Sequence, residues 1–148
     1  MKVIYIYIPN YFVKTIKKRE LFLLVRPFYS EKGWVQIGDM FNCWGFDEKE
    51  FKLTNKIEKS SLLLIPYSIN HYSENKIMEM IDKYNKLCIK NDIKGYGFIA
   101  GDYPKNYKEF KNITYFRMSG FRSKLSDRNQ GFPAALTDQH FKIYKTKN

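Results

Sequence analysis

Apolar positions along the 148-residue chain come in short bursts that keep two different periods. From Val3 to Ile8 the chain alternates β-branched and aromatic residues and stops at Pro9-Asn10, which predicts a first strand. Between Tyr11 and Arg26 the spacing from Phe12 to Leu24 is roughly helical around the basic cluster Lys14 to Arg19, and predicts a helix. Asp47 followed by Glu50 has the spacing of a capping box and predicts a short helix or turn. Ser61-Leu62-Leu63-Leu64-Ile65-Pro66 is an unbroken apolar run stopped by proline, as in the central strand of a parallel sheet buried on both faces. Ile77, Met80, Ile81, Tyr84, Leu87 and Cys88 recur at helical spacing with Lys, Asp and Asn opposite, predicting a helix capped by Ser73 and ended at Asn91-Asp92. Gly95 to Gly101 reads as a strand that opens into a loop, and Ile113 to Arg117 as a further strand.

Strands alternating with helices indicate βαβ units. The expected fold is an α/β, single Rossmann-like domain over residues 1–148, with a mainly parallel sheet flanked by helices and a frayed tail from Asp138 to Asn148. No repeat, heptad run or Gly/Ser-rich linker marks a second domain. A chain of this length buries about 70% of its unfolded surface, enough for a real core.

Charge narrows the partners. Lys and Arg number 26 against 15 Asp and Glu, a net charge of +11, which favours nucleic acid, an anionic surface, or a phosphorylated or acidic-sugar ligand. Much of the excess is Lys scattered among Asn and Ile, a usage that AT-rich coding alone produces. Cys43 and Cys88 form no C-x-x-C pair and have no ligand-spaced His, so a zinc site is not expected; both read as reduced core thiols, with a single disulfide as the alternative. No window approaches the ~20 apolar residues of a membrane span. A cytoplasmic protein is expected, with peripheral association at the inner membrane face open to it.

Ligands of open α/β sheets gather beyond the carboxyl ends of the strands, so the polar residues after each apolar run are the candidates. After the central strand, Tyr67, Ser68, Asn70 and His71 offer hydroxyl, amide and imidazole groups, with His71 a candidate general base and a solvated or capping histidine as the ordinary alternative. After the next strand, Asp102 is a candidate base or sugar-hydroxyl ligand, or else a turn residue before Pro104. Gly95-x-Gly97-x-x-Ala100 matches a dinucleotide fingerprint in letters only, because it contains a strand instead of opening a helix after the first one. The richest cluster is Arg117, Ser119, Gly120, Arg122, Ser123 and Lys124, where guanidinium groups flank a flexible turn and suit a phosphate or carboxylate. Its ordinary alternative is a solvated basic turn.

Leu64-Ile65-Pro66-Tyr67-Ser68, Ala100-Gly101-Asp102 and Phe116 to Lys124 with Pro133 downstream, together with Tyr5 to Pro9 and Arg26-Pro27-Phe28-Tyr29, resemble the N-terminal half of exostosin-like bacterial glycosyltransferases. Such enzymes have two Rossmann-like domains around a cleft, and the C-terminal domain holds most of the nucleotide-sugar. The resemblance implies a domain contributing to sugar transfer from a nucleotide-sugar to a cell-surface glycan acceptor, completed by a second domain or partner chain, or else a descendant that kept the fold and lost the chemistry. Arg117, Arg122 and Lys124 would then face the cleft, with Asp102 or His71 as acceptor base. The nucleotide-sugar would be a substrate, and no tightly bound cofactor is expected. The rival reading is a non-enzymatic module whose basic face, with aromatics interleaved among lysines, binds nucleic acid or an acidic glycan. A small hydrolase is disfavoured, since no G-x-S-x-G elbow is present.

Overall fold

The computed structural model of the protein describes residues 3–9, 21–22, 24–25, 28, 47–100, 105–117 and 125–131. Six strands form one sheet: β1 (Ile4–Tyr7), β2 (Phe51–Thr54), β3 (Leu62–Ser68), β4 (Lys94–Ile99), β5 (Ile113–Arg117) and β6 (Asn129–Gly131). Their spatial order is β2-β1-β3-β4-β5-β6, and every neighbouring pair is parallel. Two helices, α1 (Ile69–Glu74) and α2 (Glu79–Lys90), fill the crossover from β3 to β4. This is an α/β Rossmann-like arrangement in which the helical part is sparse among the described residues.

The continuous apolar run does form the middle of the sheet. β3 is buried from Leu63 to its end, as a strand covered on both faces must be. It also runs past the expected stop at Pro66 to Ser68, and the reason lies on its flanks. Leu64 pairs with Tyr96 and Ser68 with Phe98, so four steps along β3 match two along β4, and the irregularity takes up Pro66. On the other flank the ladder to β1 ends at Tyr7–Leu63. Beyond it, Leu21 bridges Tyr67 in antiparallel sense and the Phe22 N–H donates to the Pro66 carbonyl at 2.8 Å.

Of the helix expected from Tyr11 to Arg26, residues 11–20, 23 and 26 lie outside the described ones, and the bridge shows that Leu21 to Val25 do not continue it. At Leu21 the chain is pairing with β3, and Leu24–Val25 is a turn closed by Val25 N–H on the Phe22 carbonyl at 2.9 Å. Phe22 has no exposed surface and stacks on Phe98 with ring centroids 5.5 Å apart. Burying an aromatic ring and satisfying a strand carbonyl outweigh an imperfect helical period.

Ser73 does not cap the long helix. It lies within α1, whose N-cap is Ser68, while α2 starts behind Met78 with no side-chain cap. Both helices end in the same way, which explains why they are separate. The Lys76 and Ile77 N–H groups return to the Ser73 and Tyr72 carbonyls, with Lys76 at φ 57°. Asp92 and Ile93 repeat the arrangement on Ile89 and Cys88, with Asp92 at φ 51°. Each is a Schellman closure with a left-handed residue and an isoleucine after it.

Asp47 accepts the Lys49 N–H at 2.9 Å as the capping pattern suggests, but only one 3-10 turn, Glu48–Glu50, precedes β2. Strands β2 and β6 stand at the two edges and are largely exposed. In the core, Ile81, Tyr84 and Cys88 of α2 turn inward as their spacing requires. Gly95 and Gly97 explain their own presence: a Cβ on Gly95 would stand 3.0 Å from the Cys88 Sγ, and one on Gly97 3.1 to 3.2 Å from Ile69, Ile65 and Tyr115. They admit the helices to the sheet. Cys88 is a free, buried thiol whose pKa burial pushes up to about 11; Cys43 lies outside the described residues.

Candidate functional site

The carboxyl edge of the parallel sheet brings together the ends of β3, β4 and β5. At the end of β3 Ser68, Asn70 and His71 are engaged within the fold, while the neutral Tyr72 hydroxyl is buried without a hydrogen-bond partner. The Ser68 hydroxyl accepts the His71 N–H at 3.3 Å, capping α1. Asn70 Oδ1 accepts the Ala100 N–H at 2.9 Å and so ties the first turn of α1 to the exit of β4. The Asn75 amide sits 3.3 Å from His71 Nδ1 and also donates to the His71 carbonyl at 2.8 Å. The His71 ring leans on Tyr67 and meets Tyr72 edge-on. Tyr67 itself is fully buried, so its ring belongs to the core. Tyr72 is buried too, and burial, reinforced by Tyr84, raises its phenol pKa far above the ordinary range.

The end of β5 is different. Ile113, Tyr115 and Arg117 point to the same buried face, in register with Gly95, Gly97 and Ile99 of β4. Both long side chains reach the segment that precedes β5. The Tyr115 hydroxyl donates to the Lys108 carbonyl at 3.2 Å, and Arg117 Nη2 donates to the Lys105 carbonyl at 2.8 Å. Arg117 is 1% exposed, yet its Nε and Nη1 have no hydrogen-bond partner. Among the described residues it has no ion-pair partner either; the one described pair, Asp82–Lys86 at 2.7 Å, lies on the outer face of α2. A buried cation without a counter-charge is costly, which makes this arginine the outstanding chemical feature of the edge.

Its surroundings are polar. Tyr107 is half-buried, and burial and then Glu74 raise its phenol pKa while the nearby Arg117 cation opposes them. The phenol therefore keeps its proton and is a donor at neutral pH. Lys105 places its ammonium 5.4 Å from the centre of the Tyr107 ring and donates to the Ser73 hydroxyl at 3.2 Å. Lys105 and Tyr107 were not singled out by the sequence, although the alternation Ile113, Tyr115, Arg117 already puts Arg117 on the inward face. A cation at an inward position of a buried strand is the signal that finds them.

Of the sequence candidates, Tyr67, Ser68, Asn70, His71 and Arg117 are described, and the first four cluster at the β3 end while Arg117 closes β5. Asp102, Ser119, Gly120, Arg122, Ser123 and Lys124 lie outside the described residues. Among the described residues no group of His, Cys, Asp and Glu is gathered as metal ligands would be, and no helix is long and apolar enough to cross a membrane. Comparison with family models, curated proteins and solved structures gives no match to this chain.

Proposed function

We propose that this chain is a glycosyltransferase-like domain that contributes to the transfer of a sugar from a nucleotide-sugar to a cell-surface glycan acceptor, with a second domain or partner chain completing the cleft. The observation that supports this reading is Arg117, a buried cation with unengaged donors at the edge of a parallel sheet where ligands of such folds collect. Sugar transfer breaks the bond between the anomeric carbon and a diphosphate oxygen, and negative charge develops on that oxygen as the bond lengthens. A preorganised guanidinium in a water-poor site stabilises such charge far better than a solvated lysine. The acceptor hydroxyl loses its proton as its oxygen bonds to the anomeric carbon, and Asp102 is the carboxylate proposed to take it. His71, whose Nδ1 lies 3.3 Å from the Asn75 amide, is the other proposed base.

A nucleic-acid surface needs several exposed cations, each meeting one backbone phosphate, and the net charge of +11 is the observation in its favour. Titration of the intact protein with UDP-sugars and with single-stranded RNA over a range of salt separates the two. Binding of a UDP-sugar with a shallow salt dependence is the expected result. Tight, steeply salt-dependent RNA binding with no UDP-sugar binding would overturn the sugar-transfer reading.

A further inference from the structure

The geometry points to Arg117 as the floor of a subsite for one compact, terminal oxyanion: we propose that it receives the free end of a phosphate-type group and not a phosphate bridged on both sides. The inference rests on placing the ligand at the carboxyl edge of the sheet, as the proposed function does, and names what that edge selects.

Four of the five N–H donors of the guanidinium form two two-pronged edges that share Nη2. One Nη2 hydrogen is committed to the Lys105 carbonyl at 2.8 Å, and whichever of the two it is, one complete edge remains. The unengaged Nε and Nη1 belong to those edges. Two parallel donors match two oxygens of a phosphate, sulfate or carboxylate, and the match forms charge-assisted bonds. It also supplies the counter-charge that a fully buried arginine lacks among the described residues.

Burial decides which anions fit. Arg117 is 1% exposed and lies in register with Ile99, itself 2% exposed, so an anion that meets these donors is enclosed by the fold. A diphosphate carrying a nucleoside on one side and a sugar on the other needs two ways out, while a terminal oxyanion needs one. The neighbouring Tyr107 phenol is available as a further donor, and the Lys105 carbonyl fixes the plane of the guanidinium. Lys105 and Asn106, which follow one another beside the guanidinium, are both exposed, and the Lys105 ammonium donates to the Ser73 hydroxyl. In a sugar-transfer cycle the preferred species is then the released nucleoside diphosphate, whose outer phosphate is free, so the subsite is complementary to the departing group more than to the intact donor.

The test follows the Arg117 Nε–H signal in a nitrogen–proton NMR spectrum of the intact protein during titration with inorganic phosphate, UDP and UDP-glucose. The signal is expected to move and saturate with phosphate and with UDP, and to respond more weakly to UDP-glucose. An Arg117 signal indifferent to both phosphate and UDP overturns the subsite. Saturation with phosphate while neither UDP nor UDP-glucose binds leaves the subsite standing and removes the sugar-transfer reading. UDP-glucose binding that leaves the Arg117 signal still does the reverse. Asp102→Asn controls for a partner within the chain: phosphate still shifts the signal in this variant if the proposal holds, whereas a response that appears only after Asp102 is changed contradicts it. Tyr107→Phe is expected to weaken phosphate by about three- to tenfold, the worth of one hydrogen bond, without moving the response to zero.

Discussion

The carboxyl ends of β3 and β5 are both polar, both buried and only one strand apart, yet they differ in what is left over. At β3, Ser68 caps a helix, Asn70 holds the Ala100 N–H and His71 is bracketed by Asn75 and two tyrosines. At β5, Arg117 makes one bond to a carbonyl and leaves Nε and Nη1 without a partner. Polar residues at the ligand edge of a parallel sheet do not by themselves make a site. A buried charge without a counter-charge among the described residues, as Arg117 is and the Tyr72 hydroxyl is not, does.

The comparison breaks or sharpens under substitution, because the β3 end should respond in stability and the β5 end in binding. The largest expected effect is Arg117→Ala on oxyanion affinity: loss of two charge-assisted bonds weakens inorganic phosphate by about 100-fold, measured by calorimetry. Arg117→Lys should recover only part of this, since an ammonium cannot present two parallel donors. Gly97→Ala comes next and acts on folding alone. Its new Cβ meets Ile69, Ile65 and Tyr115 at 3.1 to 3.2 Å, and overpacking of this kind costs about 1–3 kcal/mol, read from denaturant unfolding. Asn70→Ala leaves the Ala100 N–H without its acceptor and should cost about 1–2 kcal/mol in the same assay.

Ser68→Ala removes the cap of α1, with a loss of about 1 kcal/mol and phosphate affinity unchanged. A fall in phosphate affinity for that variant would erase the distinction between the two ends. A further effect concerns pH. Burial lifts the Cys88 thiol from 9.0 to about 11, so between these values the unfolded chain ionises while the folded one keeps its proton. Stability is therefore full below pH 9 and declines as pH rises toward 11, and Cys88→Ala should flatten that decline in unfolding curves taken across the range. Burial of Tyr72 and Tyr115 acts in the same direction from pH 10.0 upward, so the Cys88 contribution is read most cleanly between pH 9.0 and 10.0.

What the sequence could reveal followed from how strongly each segment's physics is local. The apolar run of β3, the amphipathic period of α2 and the alternation of β1 and β5 are properties of their own residues, and all four were readable. Strands β2 and β6 were not, because edge strands of three or four residues bury little, and the Phe51-Lys52-Leu53-Thr54 alternation of β2 is too short to stand out. The region around Phe22 misled for a tertiary reason: its helical spacing is overridden by the Pro66 carbonyl and the Phe98 ring, which are distant in sequence. Ser73 misled because a hydroxyl before a helix resembles a cap until the left-handed turn at Lys76 separates the two elements. At the candidate site, residue types were legible and their commitments were not. Nothing in the letters of Ser68 or Asn70 says that their oxygens are occupied, and nothing in Arg117 says that most of its donors are not.

The central claim is that Arg117 is held ready for an oxyanion, and its most direct measure is the stability of the native protein and of Arg117→Met with and without phosphate. In phosphate-free buffer a buried, unpaired guanidinium is a burden, so the methionine variant should be as stable as the parent or up to about 1–4 kcal/mol more stable. Saturating phosphate should then stabilise the parent by about 2.7 kcal/mol at a hundredfold excess over its Kd, and leave the variant where it was. A methionine variant that is strongly destabilised without phosphate, beside a parent that phosphate does not stabilise, would show that Arg117 is a structural residue and contradict the account.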